Sequence, residues 1–201
     1  MRQPALEPAA ARAIGDTSAF RDWRHTLWLA SLVVASVVFS LGLACAVPLA
    51  AFAAAAALSL SRRDALLLIL LVWLANQLIG FAWLDYPWTA STFAWGVTLG
   101  IVAVFATVAG QWMATLFAHA GRSVRFAVTF LIAFVVYEAA LFAVSAALLG
   151  GTEIYTMAIQ GRIFAINAAA FVGLLVMSRL AVSVRLVANR SIALPITSRP
   201  A

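Results

Sequence analysis

The side chains able to do chemistry in this sequence are few, and most lie in its second half. Glu138 follows Tyr137, Gln160, Arg162 and Asn167 sit close together, and Asn76-Gln77 and Gln111 stand apart. All are embedded in stretches that otherwise read Ala, Val, Leu, Ile and Phe. Ionisable and amide groups are costly at membrane depth, so they face the interior of a bundle. There they either mark a site or act as interhelical hydrogen-bonding glue worth roughly 1 kcal/mol each. With a ~1.5 Å rise per residue, Glu138 and Asn167 both come out roughly 16 Å from the outer ends of their segments. Asn76 comes out at roughly 12 Å and Arg162 at roughly 9 Å by the same rise. Glu138, Asn167 and Asn76 therefore share a layer, with Gln160 and Arg162 above it. Gln160 and Asn167, seven residues apart, share a helix face, while Arg162 lies well round from both. One charge of each sign in adjacent segments points to an outward-facing pocket that contacts a polar solute.

Aromatic residues form a second group. Phe81, Trp83, Tyr86, Trp88, Phe93 and Trp95 crowd one turn and its flanks. Such a cluster is either an interfacial belt or a stacking wall over an outward-facing pocket. Other chemistry is missing. A single cysteine, Cys45, excludes an internal disulfide and any cysteine-built metal site. The two histidines, His25 and His119, fall at polar ends, away from where haem ligands would have to stand. No H-E-x-x-H, G-x-S-x-G, Walker A or G-x-G-x-x-G is present. The expectation is a protein without resident metal or cofactor, and not an enzyme.

The elements that must position these residues follow from composition. The chain has 201 residues, 65% hydrophobic and 10% charged, with a mean hydropathy of +1.04. Soluble domains sit near half apolar and about a quarter charged, so an ordinary soluble enzyme is excluded. Residues 26–60 are apolar without a break, too long for one span of about 20 residues. Gly42 and Pro48 divide them into helices near 26–43 and 47–60, the second short and alanine-rich, packed within the bundle rather than facing lipid. Further helices are expected near 65–84, 92–118, 126–149 and 156–178. Gly96 and Gly100, and Ala165, Ala169 and Gly173, are small-residue patterns that allow close helix approach.

Charge sets orientation. All thirteen basic residues are arginine, and the net charge is +6. They are scattered between apolar segments rather than gathered on one patch, so nucleic acid is not the partner. The N-tail, the turns at 61–64 and 119–125 and the C-tail carry arginine, whereas those at 85–91 and 150–155 carry none. Cytoplasmic loops are enriched in basic residues. The fold class is therefore an all-α integral membrane protein of six transmembrane helices with both termini cytoplasmic. A tail at 1–25 precedes a membrane domain at 26–180, and a basic tail follows at 181–201.

Six helices in about 200 residues, cytoplasmic termini, an alanine-rich early helix and an outer polar pocket form a combination with a known counterpart. The stretch from Pro48 to Gly80, with its Arg62-Arg63 turn and Asn76-Gln77-x-x-Gly80, resembles the S components of energy-coupling factor vitamin transporters. The likeness is architectural. It implies a bacterial inner-membrane uptake protein binding a vitamin-like micronutrient from the outer side; the polar and aromatic residues that the sequence offers for such a pocket, in helices 3–6, are Asn76, Trp83, Tyr86, Trp88, Trp95, Glu138, Gln160, Arg162 and Asn167. It also implies a membrane coupling subunit with two ATPases, docked on small residues of the early helices. The nearest matches to the docking pattern are Ser31-x-x-x-Ala35 and Ala46-x-x-x-Ala50. Two other readings remain: an assembly subunit whose polar residues are packing glue, and a membrane enzyme using Glu138 as acid or base. The enzyme needs a second catalytic group about 3 Å away or one water removed, which Asn167 does not supply.

Overall fold

The computed structural model describes residues 23, 26–39, 41 and 47–183. The helices are α1 (Thr26–Phe39), α2 (Leu49–Ser59), α3 (Arg62–Ala82), α4 (Ala90–Leu116), α5 (Arg122–Val144) and α6 (Met157–Ser183). A π-helical turn, Ser145–Leu149, prolongs α5, and a 3-10 turn, Thr152–Ile154, leads toward α6. No strand occurs among the described residues. The helices α3, α4, α6 and α5 with its π turn are long and apolar enough to cross a bilayer core of ~30 Å. The described part of α1 is shorter, and α2, at 11 residues, is roughly 16 Å long. The described residues thus form an all-helical protein, with four membrane-length helices among them. Cys45, Ala46 and His25 lie outside the described residues.

The short alanine helix occupies the middle. Leu49, Ala50, Ala51, Phe52, Ala53, Ala54, Ala56 and Ala57 are all buried. A helix apolar on every side belongs in a core, and alanine methyls let α3, α4, α5 and α6 all pack against this one. Phe52 is its one aromatic side chain, and it meets Phe39 of α1 edge-on with ring centroids 6.1 Å apart.

Burial creates a problem at the N-terminus of α2, where backbone N–H groups lack intrahelical acceptors. Its N-cap is Pro48, whose side chain has no acceptor atom. Leu49 N donates to Val47 O at 2.8 Å and Phe52 N to Pro48 O at 3.1 Å. Ala51 N donates instead to Asn167 Oδ1 of α6, at 3.1 Å. The cap is supplied by another helix. Asn167 Nδ2 in turn donates to Ile163 O at 3.0 Å, which fixes the amide's orientation. The starts of α3, α4 and α6 use local caps. Ser61 accepts from Asp64 N, Thr89 from Thr92 N and Thr156 from Ile159 N, each at 3.3 Å.

Glycine lets α3 and α4 close. A Cβ at Gly100 would stand 2.8 Å from the Trp73 indole, and one at Gly96 would stand 2.7 Å from Gln77 Oε1. Trp73 Nε1 donates to Gly96 O at 2.7 Å across that contact. The Gly96-x-x-x-Gly100 pair therefore serves internal packing. Gly173 on α6 differs, because a Cβ there would meet nothing within 4 Å. Replacing glycine by alanine inside a helix stabilises it by up to about 1 kcal/mol when space permits. Gly173→Ala should hold or raise the melting temperature of the purified protein. Gly100→Ala should lower it, because displacing a packed indole costs about 1–3 kcal/mol. A Gly100→Ala melt at or above wild type would contradict the packing.

Candidate solute-binding site

The site builds from the junction of α5 and α6. After Val144 the helix widens into its π turn, and the chain reverses at Gly150 (φ 74°) and Gly151 (φ 85°). Both lie in the left-handed region, where glycine carries no Cβ penalty. Gly150 N donates to Ser145 O at 2.8 Å, and the buried Ser145 hydroxyl donates to Gly150 O. This clasp returns the chain over α5, so Tyr155 packs edge-on against Phe142 with ring centroids 5.0 Å apart.

One turn deeper stands Glu138, only partly exposed. The side chains acting on or felt by its carboxylate are Gln160 from the first turn of α6, Tyr155 from the connector and its neighbour Tyr137. Among the described residues no cation pairs with it. The result is a carboxylate within reach of the Gln160 amide, near the end of the bundle closed by Gly150 and Gly151. Such a set offers hydrogen bonds to a polar or positively charged group. No group of three or more potential metal ligands occurs among the described residues.

The structure distributes the expected site residues unevenly. Glu138 and Gln160 come together. Asn167 is 4% exposed, and both atoms of its amide are engaged, by Ala51 and by Ile163. Its visible role is the cap of α2. Asn76 is buried in α3. Arg162 is exposed on α6 and does not face Glu138. Tyr86 folds back over Gly80, donating its backbone N–H to Gly80 O at 3.1 Å. Phe81 gathers the other aromatics of that turn, stacked on Phe93 at 5.0 Å and tilted against Trp88 at 5.1 Å. Trp83 and Trp88 are 75% and 76% exposed, which suits interfacial anchors. Trp95 is half-buried against the core.

The suggested docking pairs also separate. Ser31 and Ala35 of α1 are half-buried, and Ser31 Oγ donates to Trp28 O at 2.7 Å. Ala50 is completely buried inside the bundle, so it presents no face to a partner. The small residues of α2 are used to seat it among its neighbours. Two grooves stand out, and neither is lined by Glu138. One, of about 340 Å³, is an apolar cleft between α3 and α4 lined by Trp73, Gly100 and Phe105 among others. The second runs along α6.

Tyr155 is the member of the site that periodicity did not single out. Its two signals were the Gly150-Gly151 reversal and an aromatic residue just before a polar-bearing helix. Burial first, and the facing Glu138 carboxylate second, hold its phenol above the ordinary tyrosine value. Since the folded value exceeds the unfolded one, the resulting stability is complete below about pH 10 and is lost as pH rises through the folded value. Glu138→Gln removes the repulsion but not the burial. The ionisation of Tyr155, read by absorbance against Tyr155→Phe, should shift to lower pH in Glu138→Gln. An unchanged titration would separate the two groups. No family model matches the chain, and no curated protein or solved structure matches it either.

Proposed function

We propose that this protein takes up a small polar micronutrient, binding it from the outer side of a bacterial inner membrane at Glu138, Gln160 and Tyr155. The observation that carries the reading is Glu138: a partly buried carboxylate on a membrane-length helix, lined by neutral hydrogen-bonding groups and without a counter-ion among the described residues. Carboxylates at that depth are retained for a partner, and here the partner is a solute bearing an amine, amide or similar donor. The tyrosine-bearing connector closes over it. The short buried α2 accords with the resemblance to S components, in which a separate membrane subunit with ATPases supplies the energy.

In this reading Arg62, Arg63, Arg122 and Arg125 mark cytoplasmic turns, the turns at 85–91 and 150–155 face outward, and both termini are cytoplasmic. An assembly role is the second reading, favoured by Asn167, a membrane-depth amide wholly engaged in packing.

Native mass spectrometry of protein released gently from its own membranes distinguishes the two. A small-molecule adduct should accompany the wild type and fall about tenfold or more in Glu138→Ala, as expected for loss of a desolvated charge-assisted contact. The fold should survive, as judged by an unchanged helical spectrum. An adduct of equal abundance in Glu138→Ala would refute the assignment of the pocket. Topology is tested separately, with single cysteines in a Cys45→Ser background. Positions Ser91 and Thr152 should react with a membrane-impermeant maleimide in intact cells, and Ser61 and Ser123 only after lysis. The reverse pattern would invert the site.

A further inference from the structure

The end of the bundle that holds Glu138 is short of cations. Short turns join antiparallel helices, so the α3–α4 and α5–α6 connectors lie at this same end. They carry the exposed Asp85 and Glu153 and no basic residue. Residues 40–46, which precede α2, carry no charge at all. Among the described residues, Arg162 is the one arginine toward this end, and it is turned away from Glu138 on the exposed side of α6. Arg62, Arg63, Arg122, Arg125 and Arg179 all lie toward the opposite end. Charge of one sign around an opening concentrates solutes of the other sign and repels its own.

Two further observations concern the carboxylate's surroundings. Tyr137 is 6% exposed, and its hydroxyl has no hydrogen-bond partner among the described residues. The phenol stands within electrostatic range of both Glu138 and Tyr155. A tyrosine hydroxyl buried this deeply ordinarily has a partner, so this one is kept for a group that the described residues do not supply. Phe142, one helical turn beyond Glu138 on the same face, is 46% exposed and meets Tyr155 edge-on. Side chains four residues apart on a helix have Cβ atoms about 5–6 Å apart. An ammonium is attracted to an aromatic ring within about 6 Å of its centroid. One cation can therefore contact the carboxylate and the Phe142 ring together.

We infer that the solute bound at Glu138 is a protonated amine, rather than a neutral hydrogen-bond donor or an anion. The inference rests on the proposed solute site and narrows its substrate class. A neutral donor gives the carboxylate one hydrogen bond and leaves its charge uncompensated away from water, whereas an ammonium cancels that charge. The Tyr137 hydroxyl oxygen accepts a second N–H of the same ammonium, and the Phe142 ring covers the adjoining carbon skeleton. An anion would meet Asp85, Glu153 and Glu138 with no facing base.

The test compares the small-molecule adduct of the full chain, released gently from its native membrane, in wild type, Glu138→Ala, Glu138→Gln and Glu138→Asp. Glu138→Gln keeps the size of the side chain and an acceptor oxygen and removes only the charge. For a bound amine the adduct should fall about tenfold or more in Glu138→Gln, as in Glu138→Ala, and Glu138→Asp should retain most of it. An adduct kept in Glu138→Gln but lost in Glu138→Ala would overturn the amine while leaving the solute site in place. An adduct kept in both would overturn the site as well, and one no stronger in Glu138→Asp than in Glu138→Gln would again overturn the amine. A second measurement uses only the wild type, so it does not depend on any variant folding. Benzylammonium, added to the membranes before release, should displace the adduct, and benzyl alcohol and benzoate at the same concentration should not. Equal displacement by the alcohol or by benzoate, or none by benzylammonium, would overturn the inference.

Discussion

One hydrogen bond, from Ala51 N of α2 to Asn167 Oδ1 of α6, resolves the main conflict in this fold. A helix of eleven residues that is mostly alanine is weakly driven to form by itself. Its value lies in being thin, so that four longer helices converge on it. Convergence removes water from its first turn, and Pro48 cannot cap that turn. An unsatisfied N–H there costs about 1–3 kcal/mol, more than one alanine contributes by burial. Asn167 supplies the missing acceptor and is itself held by Ile163 O. The position of α2, and with it the packing of α3 to α6, depends on this cap.

That constraint also divides the polar residues of the bundle. Asn167 is taken by α2, while Gln160, two turns away on the same face, is left to meet Glu138. Arg162 turns the other way. Three polar groups of one helix thus serve three purposes, Gln160 and Asn167 set about two turns apart along one face and Arg162 turned onto another. The π turn and paired glycines after α5 bring Tyr155 against Phe142, one helical turn from Glu138, where a plain helix–loop–helix would have directed it elsewhere.

Much of this was legible in the sequence. Pro48 and the run of alanines marked a short internal helix, and the structure places it at Leu49–Ser59. The pattern Gly96-x-x-x-Gly100 announced a close contact, found against Trp73 and Gln77. Helix periodicity put Gln160 and Asn167 on one face and Arg162 on another, as observed. What could not be read is long-range. Asn167 and Ala51 are 116 positions apart, and no local pattern pairs an asparagine with an alanine amide. The surplus of small residues on α2 suggested a docking face because composition alone does not distinguish an outward seam from a buried one. The structure buries Ala50 and exposes Ala165 and Ala169. Tyr155 was hidden by a connector whose π turn alters the helical phase.

The division between a structural amide and a solute-facing carboxylate is tested most directly by hydrogen exchange at the Ala51 amide in wild type, Asn167→Leu and Glu138→Gln. Loss of the acceptor should speed exchange at Ala51 about tenfold or more in Asn167→Leu, while Glu138→Gln leaves it at the wild-type rate. Full protection in Asn167→Leu, or equal loss of protection in Glu138→Gln, would contradict the account.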